Sequence, residues 1–524
     1  MRFFSSLRWS LEKLAHPWGN APSLYAYLLA NPGVEALPDE QHDPRKVNWG
    51  VGALDGVMSH HVGAAGADQT LKRVTSLVEA LTALVQESNN ANLRALYDLT
   101  SSESLVNAAD PLRDQVMERL LPNQRDRVAS VGRYFATEGD RRDVVKFGVF
   151  LLGIAGNETD FSVLRTLSLH DEFTLFGAVA LLNLGDDPEQ CLWWIARNVH
   201  GWGRIHAVER LHDTNNPAIQ AWMLRGGFHN SVMDEYLAAI CARTGKLHEA
   251  LRPARIDAPL FDNTASLLSA LIQGGPAEDI HGYEDAPEAL EHYLRHVAQT
   301  PEAGLAHLLT ISDIARFLSQ ESWQEKHEKG WTEEHRSQLL NSCNSIQARM
   351  DWRRLIEEGL KSENELTFYQ AEVAARDSGM DTWAIHFDRV RKEPLKSRSW
   401  FDLLQQTDNG RIDELLSFVL SILPLQDLAT GPDTFMGLGP GFEADQVLDT
   451  VLQELKRFPV HGWPLIRTGL QNRVVRNRNM ALNALMAWPR ETWPADSFAI
   501  LQSAYAKEPD EGLQKRMGEA LRVQ

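Results

Sequence analysis

Apolar residues recur at helical spacing along most of the chain, and no stretch keeps the alternation of a half-buried strand. No Asn-Gly turn joins two alternating segments. Prolines at positions such as Pro22, Pro32, Pro111, Pro122, Pro188, Pro217, Pro276, Pro301 and Pro464 interrupt the pattern. Helices of about ten to twenty residues joined by short turns are predicted, hence an all-α fold.

Four windows align without gaps: FGVFLLGIAGNE from Phe147, GAVALLNLGDDP from Gly177, HAVERLHDTNNP from His206 and EYLAAICARTGK from Glu235. One column reads Val149, Val179, Val208, Leu237, and another Leu152, Leu182, Leu211, Ile240. A third, Gly148, Ala178, Ala207, Tyr236, is small in its first three members, which lets helices approach closely. In the following helix Val163, Trp193, Trp222 and Leu251 share a column. A unit of about thirty residues cannot bury its apolar faces alone, and stacking does so.

This pattern resembles HEAT or armadillo repeats, which implies a curved α-solenoid. The repeats are clearest over 145–255. Residues 1–144 read as a distinct helical N-terminal cap, 256–423 as irregular helical repeats, 424–443 as a Gly/Pro-rich loop and 444–524 as closing repeats. A long helix is expected from about Gln69 to Glu87. The motifs GALDGVMSHH and VVRNRNMALNALMAW resemble a bacterial family of HEAT-repeat proteins of uncertain function. Some members carry a hydroxylase label, and the sequence offers it no support: no haem cysteine context, no dinucleotide GxGxxG after a strand, no evident iron triad.

Composition narrows the partners. The net charge of −19 disfavours nucleic acid as the main partner and suits a basic protein face. Three distant cysteines, Cys191, Cys241 and Cys343, form no CxxC pair and fit a reducing cytoplasm. The longest apolar run, Phe147 to Ala155, is too short for a membrane span. The start of the chain is not a secretory signal, and Phe4, Leu7, Leu11 and Leu14 form an amphipathic stripe expected to dock on the protein itself.

Several groups carry candidate chemistry. Asp55, His60 and His61 lie in a segment dense in glycine, where a His pair and a carboxylate suit a metal ion or a proton-transfer role. On one helix Asp55 and His60 would point well apart and would need a turn between them to converge. His292 and His296 have the i, i+4 spacing of two metal ligands, but Tyr293 replaces the Glu of a HExxH peptidase. Glu284, Asp285, Glu288 and Glu291 form an acidic stretch. His206, Glu209 and His212 wrap around their helix and do not read as a ligand set. His170, His200 and His229 recur in successive repeats, where a cation would suit a helix C-terminus. Arg389, Arg391, Lys392, Lys396 and Arg398 form a basic run able to receive phosphate or nucleic acid. Trp193, Trp194, Trp202 and Trp222 are core residues or, where exposed, aromatic anchors for a partner.

No phosphate loop, GxSxG elbow or catalytic cysteine setting is present, so the sequence reads as a binding or scaffold protein rather than an enzyme. Its leading reading is a cytoplasmic protein holding a protein or peptide on a concave face. The alternative is a metal-dependent enzyme centred on Asp55, His60 and His61. No cofactor other than a metal ion is expected.

Overall fold

The computed structural model describes residues 9–39, 43–61, 67–101, 104–185, 187–301, 303–320, 331–349 and 351–522. Among them there are 29 α-helices, several short 3-10 or π turns and no strand; the sole β element is an isolated bridge between Phe435 and Val474. The predicted long helix runs over Ala67–Gln86. Phe4 and Leu7 of the N-terminal stripe lie outside the described residues.

The chain forms two compact units: Met1–Glu40 with Trp49–Trp352, and Gln41–Asn48 with Arg353–Gln524. The division falls inside the stretch read from sequence as irregular repeats.

In the first unit, six helices pack each upon the next: Arg142–Ala155, Asp171–Leu184, Trp202–Glu209, Glu235–Thr244, Ala258–Gln273 and Leu305–Leu318. A second row flanks them, including Phe161–Ser168, Pro188–Asn198 and Pro217–Trp222. Starts are set by side-chain caps: Asp187 accepts from the Gln190 amide and Asp257 from the Leu260 amide. Before the row, Leu121–Glu138 lies along Arg142–Ala155. Their backbones meet at Gly148, where a Cβ would lie 2.4 Å from the Ala136 nitrogen.

The small column therefore acts as expected, with Ala178 and Ala207 fully buried. The valine column does not keep one environment. Val149, Val208 and Leu237 are buried, but Val179 is 41% exposed. The helix Asp171–Leu184 turns Val179 toward an open cavity, whereas Arg142–Ala155 is covered by the earlier helices as well. Leu182 and Ile240 are likewise only half-buried. In the second row Val163, Trp193 and Trp222 share one half-exposed setting, and Leu251 is buried.

The second unit gathers its core from Trp383, Phe387, Trp400, Leu415, Leu448, Leu482 and their neighbours. Three arginines join the segment 473–478 to carboxylates elsewhere in the unit: Arg473 to Asp445 at 2.8 Å, Arg476 to Asp449 and Arg478 to Glu508, both at 2.6 Å. Arg478 and Glu508 have no solvent exposure in their side chains. The expected loop is present after a short turn of helix at Leu425–Leu428. Its Asp433 pairs with Arg45 at 3.1 Å, and the Arg45 guanidinium lies over the Phe435 ring.

Two stability measurements follow. Gly148→Ala forces two helices apart and should cost about 1–3 kcal/mol by urea denaturation. Arg478→Ala strands Glu508 without a cation and should cost about 3–5 kcal/mol.

Candidate metal centre

Part of the glycine-rich segment forms the helix Ala53–His61, and Gly52 and Gly56 answer to close packing. Gly52 has φ +69°, and its amide donates to Glu172 Oε2 at 2.9 Å. A Cβ on Gly56 would lie 2.1 Å from the Trp202 indole. Only a residue without a side chain lets this helix settle on Trp202.

Asp55, His60 and His61 do not form one centre; each leaves the helix toward a different neighbour. Asp55 meets Lys146 Nζ at 2.6 Å and accepts from Ser104 Oγ at 2.9 Å. Lys146 also contacts Glu172 Oε1 at 2.5 Å, and all three side chains are almost fully buried. Burial alone would lower the Lys146 ammonium, but Glu172, Asp55 and Asp143 outweigh it and raise it. Burial pushes Glu172 up, yet Lys146 and Arg142 hold it below its ordinary value. Asp55 is thus an anchor in an ion-pair cluster, with no opening to a substrate.

His60 reaches residues that the sequence reading set aside. Its Nε2 lies 2.7 Å from Glu209 Oε1, and the Glu209 Oε2 is 3.9 Å from His206 Nδ1. One donor atom from each of His60, His206 and Glu209 falls within 4.8 Å of the others. The imidazoles of His60 and His206 stack at 5.6 Å, with Trp202 and Tyr236 packed around His60. His206 and Glu209, at i, i+3, do share a face here; His212 points away, with Nδ1 on the Glu209 carbonyl. A two-histidine, one-carboxylate set was therefore present but split between distant segments. His61 instead bonds the Tyr236 hydroxyl at 2.6 Å.

Hydrogen bonding fixes the His60 ring. Its Nδ1 is 2.8 Å from the Gly56 carbonyl, which can only accept, so Nδ1 carries a hydrogen. Nε2 then faces a carboxylate oxygen: it either carries a second proton or shares Glu209 with a cation. The hydrogen bond to Glu209 raises His60 in the metal-free chain. Burial lowers His206, whose Nε2 is enclosed without a hydrogen-bond partner. Burial would raise Glu209, but His206 and His60 hold it at about 2.

A cavity of about 310 Å³ is lined largely by apolar side chains including Phe150, Ile154, Phe176 and Val179, together with polar ones that include Ser59 and Arg210, the sequence neighbours of His60 and Glu209.

The other candidates fall elsewhere. His296 gives its Nε2 to the Leu251 carbonyl, and His292 bonds Glu288, so the helical pair is engaged structurally. Glu288 also pairs with Arg252, and Asp285 with His248; Glu284 and Glu291 stay exposed. Of these four acids, Glu288 alone is thus set against an arginine. Trp202 is buried under the 53–61 helix and unavailable to a partner. Trp193, Trp194 and Trp222 are half-exposed, with Arg197 over Trp193 and Arg165 over Trp194. His170 is not a C-terminal cation: it caps the start of Asp171–Leu184 as an acceptor, and burial lowers it. His229 bonds Asp234 and Asn263, and His200 lies 3.4 Å from Arg204. In the second unit, Arg389, Lys396 and Arg398 line a cavity that also holds Glu365, Glu372 and Asp402, a mixed charge set poorly suited to phosphate. Arg391 and Lys392 are outside that lining.

No family model, curated protein or solved structure matches this chain. No helix among the described residues is long and apolar enough to cross a membrane.

The buried cluster sets an acid limit on stability. Glu172 is depressed in the folded chain, so its stabilisation is complete above its unfolded value and fades as pH falls through the lower folded value. Lys146→Met should cost about 3–5 kcal/mol at neutral pH, because Asp55 loses its cation and Glu172 keeps only Arg142. The loss should shrink toward about pH 3 in denaturation curves, as those carboxylates take up protons.

Proposed function

We propose that the chain is a HEAT-like α-solenoid whose N-terminal cap completes a divalent-metal centre on the repeats, and that it is a metal-dependent enzyme acting on a small molecule. The observation that carries this reading is the convergence of His60, His206 and Glu209 from two separate helices. Catalytic metal sites commonly use three protein ligands and leave a position for water or substrate. Two histidines and a carboxylate suit zinc or non-haem iron(II). The bond from His60 Nδ1 to a backbone carbonyl is the outer support that orients a ligating imidazole. A cavity of small-molecule size is lined in part by Ser59 and Arg210, the sequence neighbours of His60 and Glu209.

A bare ion pair clamping the cap to the repeats is the competing account, and metal titration separates the two. Full-length protein should bind about one zinc or iron(II) per chain by calorimetry and elemental analysis. His60→Ala and His206→Ala should each weaken binding by at least about tenfold. A wild-type chain that takes up no more metal than the double variant would show the ion pair alone.

A second reading, a scaffold gripping a protein or peptide, is favoured by Trp193 and Trp222, whose half-exposed rings meet at 6.5 Å. Aromatic anchors of this kind dominate many interfaces. Paired alanine substitutions there should abolish partner capture and leave the melting temperature nearly unchanged. A drop in melting temperature with capture intact makes them packing residues.

A further inference from the structure

The cavity has a mixed lining. Phe150, Ile154, Leu175, Phe176 and Val179 give much of it a hydrocarbon wall. Ser59 and Arg210 also line it, each next in sequence to a residue of the metal cluster, His60 and Glu209. Of the other polar residues in the lining, Arg113 and Asp110 pair with each other at 3.1 Å, and Asn183 donates to the Gly153 carbonyl. Arg210 spends one N–H on the His206 carbonyl, leaving a guanidinium with further donors. Val179 is the exposed member of the apolar wall.

We propose that this cavity binds a small amphiphilic carboxylate, its hydrocarbon body among Phe150, Ile154, Phe176 and Val179 and its head directed to Arg210. At about 30 Å³ for each water-sized unit, the space holds roughly ten non-hydrogen atoms, most of a ten-carbon acid. A longer body would protrude past Val179, and a dicarboxylate would set a charge against the apolar wall. Calling this ligand the substrate rests on the metal-centre reading, because that places its head beside His60 and Glu209. The binding itself does not depend on metal.

Decanoate is the probe, with decanol as its uncharged counterpart, titrated into the full chain after chelator treatment. Decanoate should bind with Kd of about 10–100 µM, and decanol at least about tenfold more weakly. Val179→Trp, at an exposed position, should fill the mouth and weaken decanoate by about tenfold or more. Arg210→Gln should remove the preference for decanoate over decanol, and Arg210→Lys should restore part of it. The His60→Ala/His206→Ala double variant should still bind decanoate, and Val179→Trp should still bind zinc, so each assignment can fail alone. Absence of decanoate binding, or binding indifferent to Val179→Trp, overturns the cavity assignment. Equal affinity for decanol and decanoate overturns the carboxylate head.

Discussion

The first unit depends on one buried cation. Lys146 sits among apolar residues of its helix and draws Asp55 from the glycine-rich helix and Glu172 from the next helix of the row. Three charges taken out of water are tolerable only because each is paired. The pairing places the 53–61 helix against the Asp171–Leu184 and Trp202–Glu209 helices. Everything said of His60 follows from that placement, since its approach to Glu209 requires Gly56 to rest on Trp202.

Helical character was readable because it is written locally, in spacing, caps and prolines. The close approach at Gly148 was readable for the same reason: a small residue in a regular column has a physical meaning without knowledge of its partner. The uneven fate of the valine column was not, because Val149 and Val179 differ only in what other segments cover them.

The candidate site was half legible. His60 stands out through its glycine neighbours, but the carboxylate of its own segment, Asp55, is not the one it meets. Asp55 and His60 lie on one continuous helix and face apart, so the partner has to come from another segment. His206 and Glu209 looked inert because a helix viewed alone shows no third ligand. One signal was available: Lys146 among apolar residues needs buried carboxylates, and Asp55 was the acid of the glycine-rich helix.

The path of the backbone has a practical consequence. Residues 41–48 belong to the second unit, although the chain on both sides of them belongs to the first. Arg45 and the Pro44 carbonyl both engage the loop around Asp433 and Met436. Neither unit is therefore a contiguous piece of the polypeptide. A ribosome finishing residue 352 has already released a strap whose seat is not yet synthesised, and a fragment begun at Arg353 would leave that seat empty.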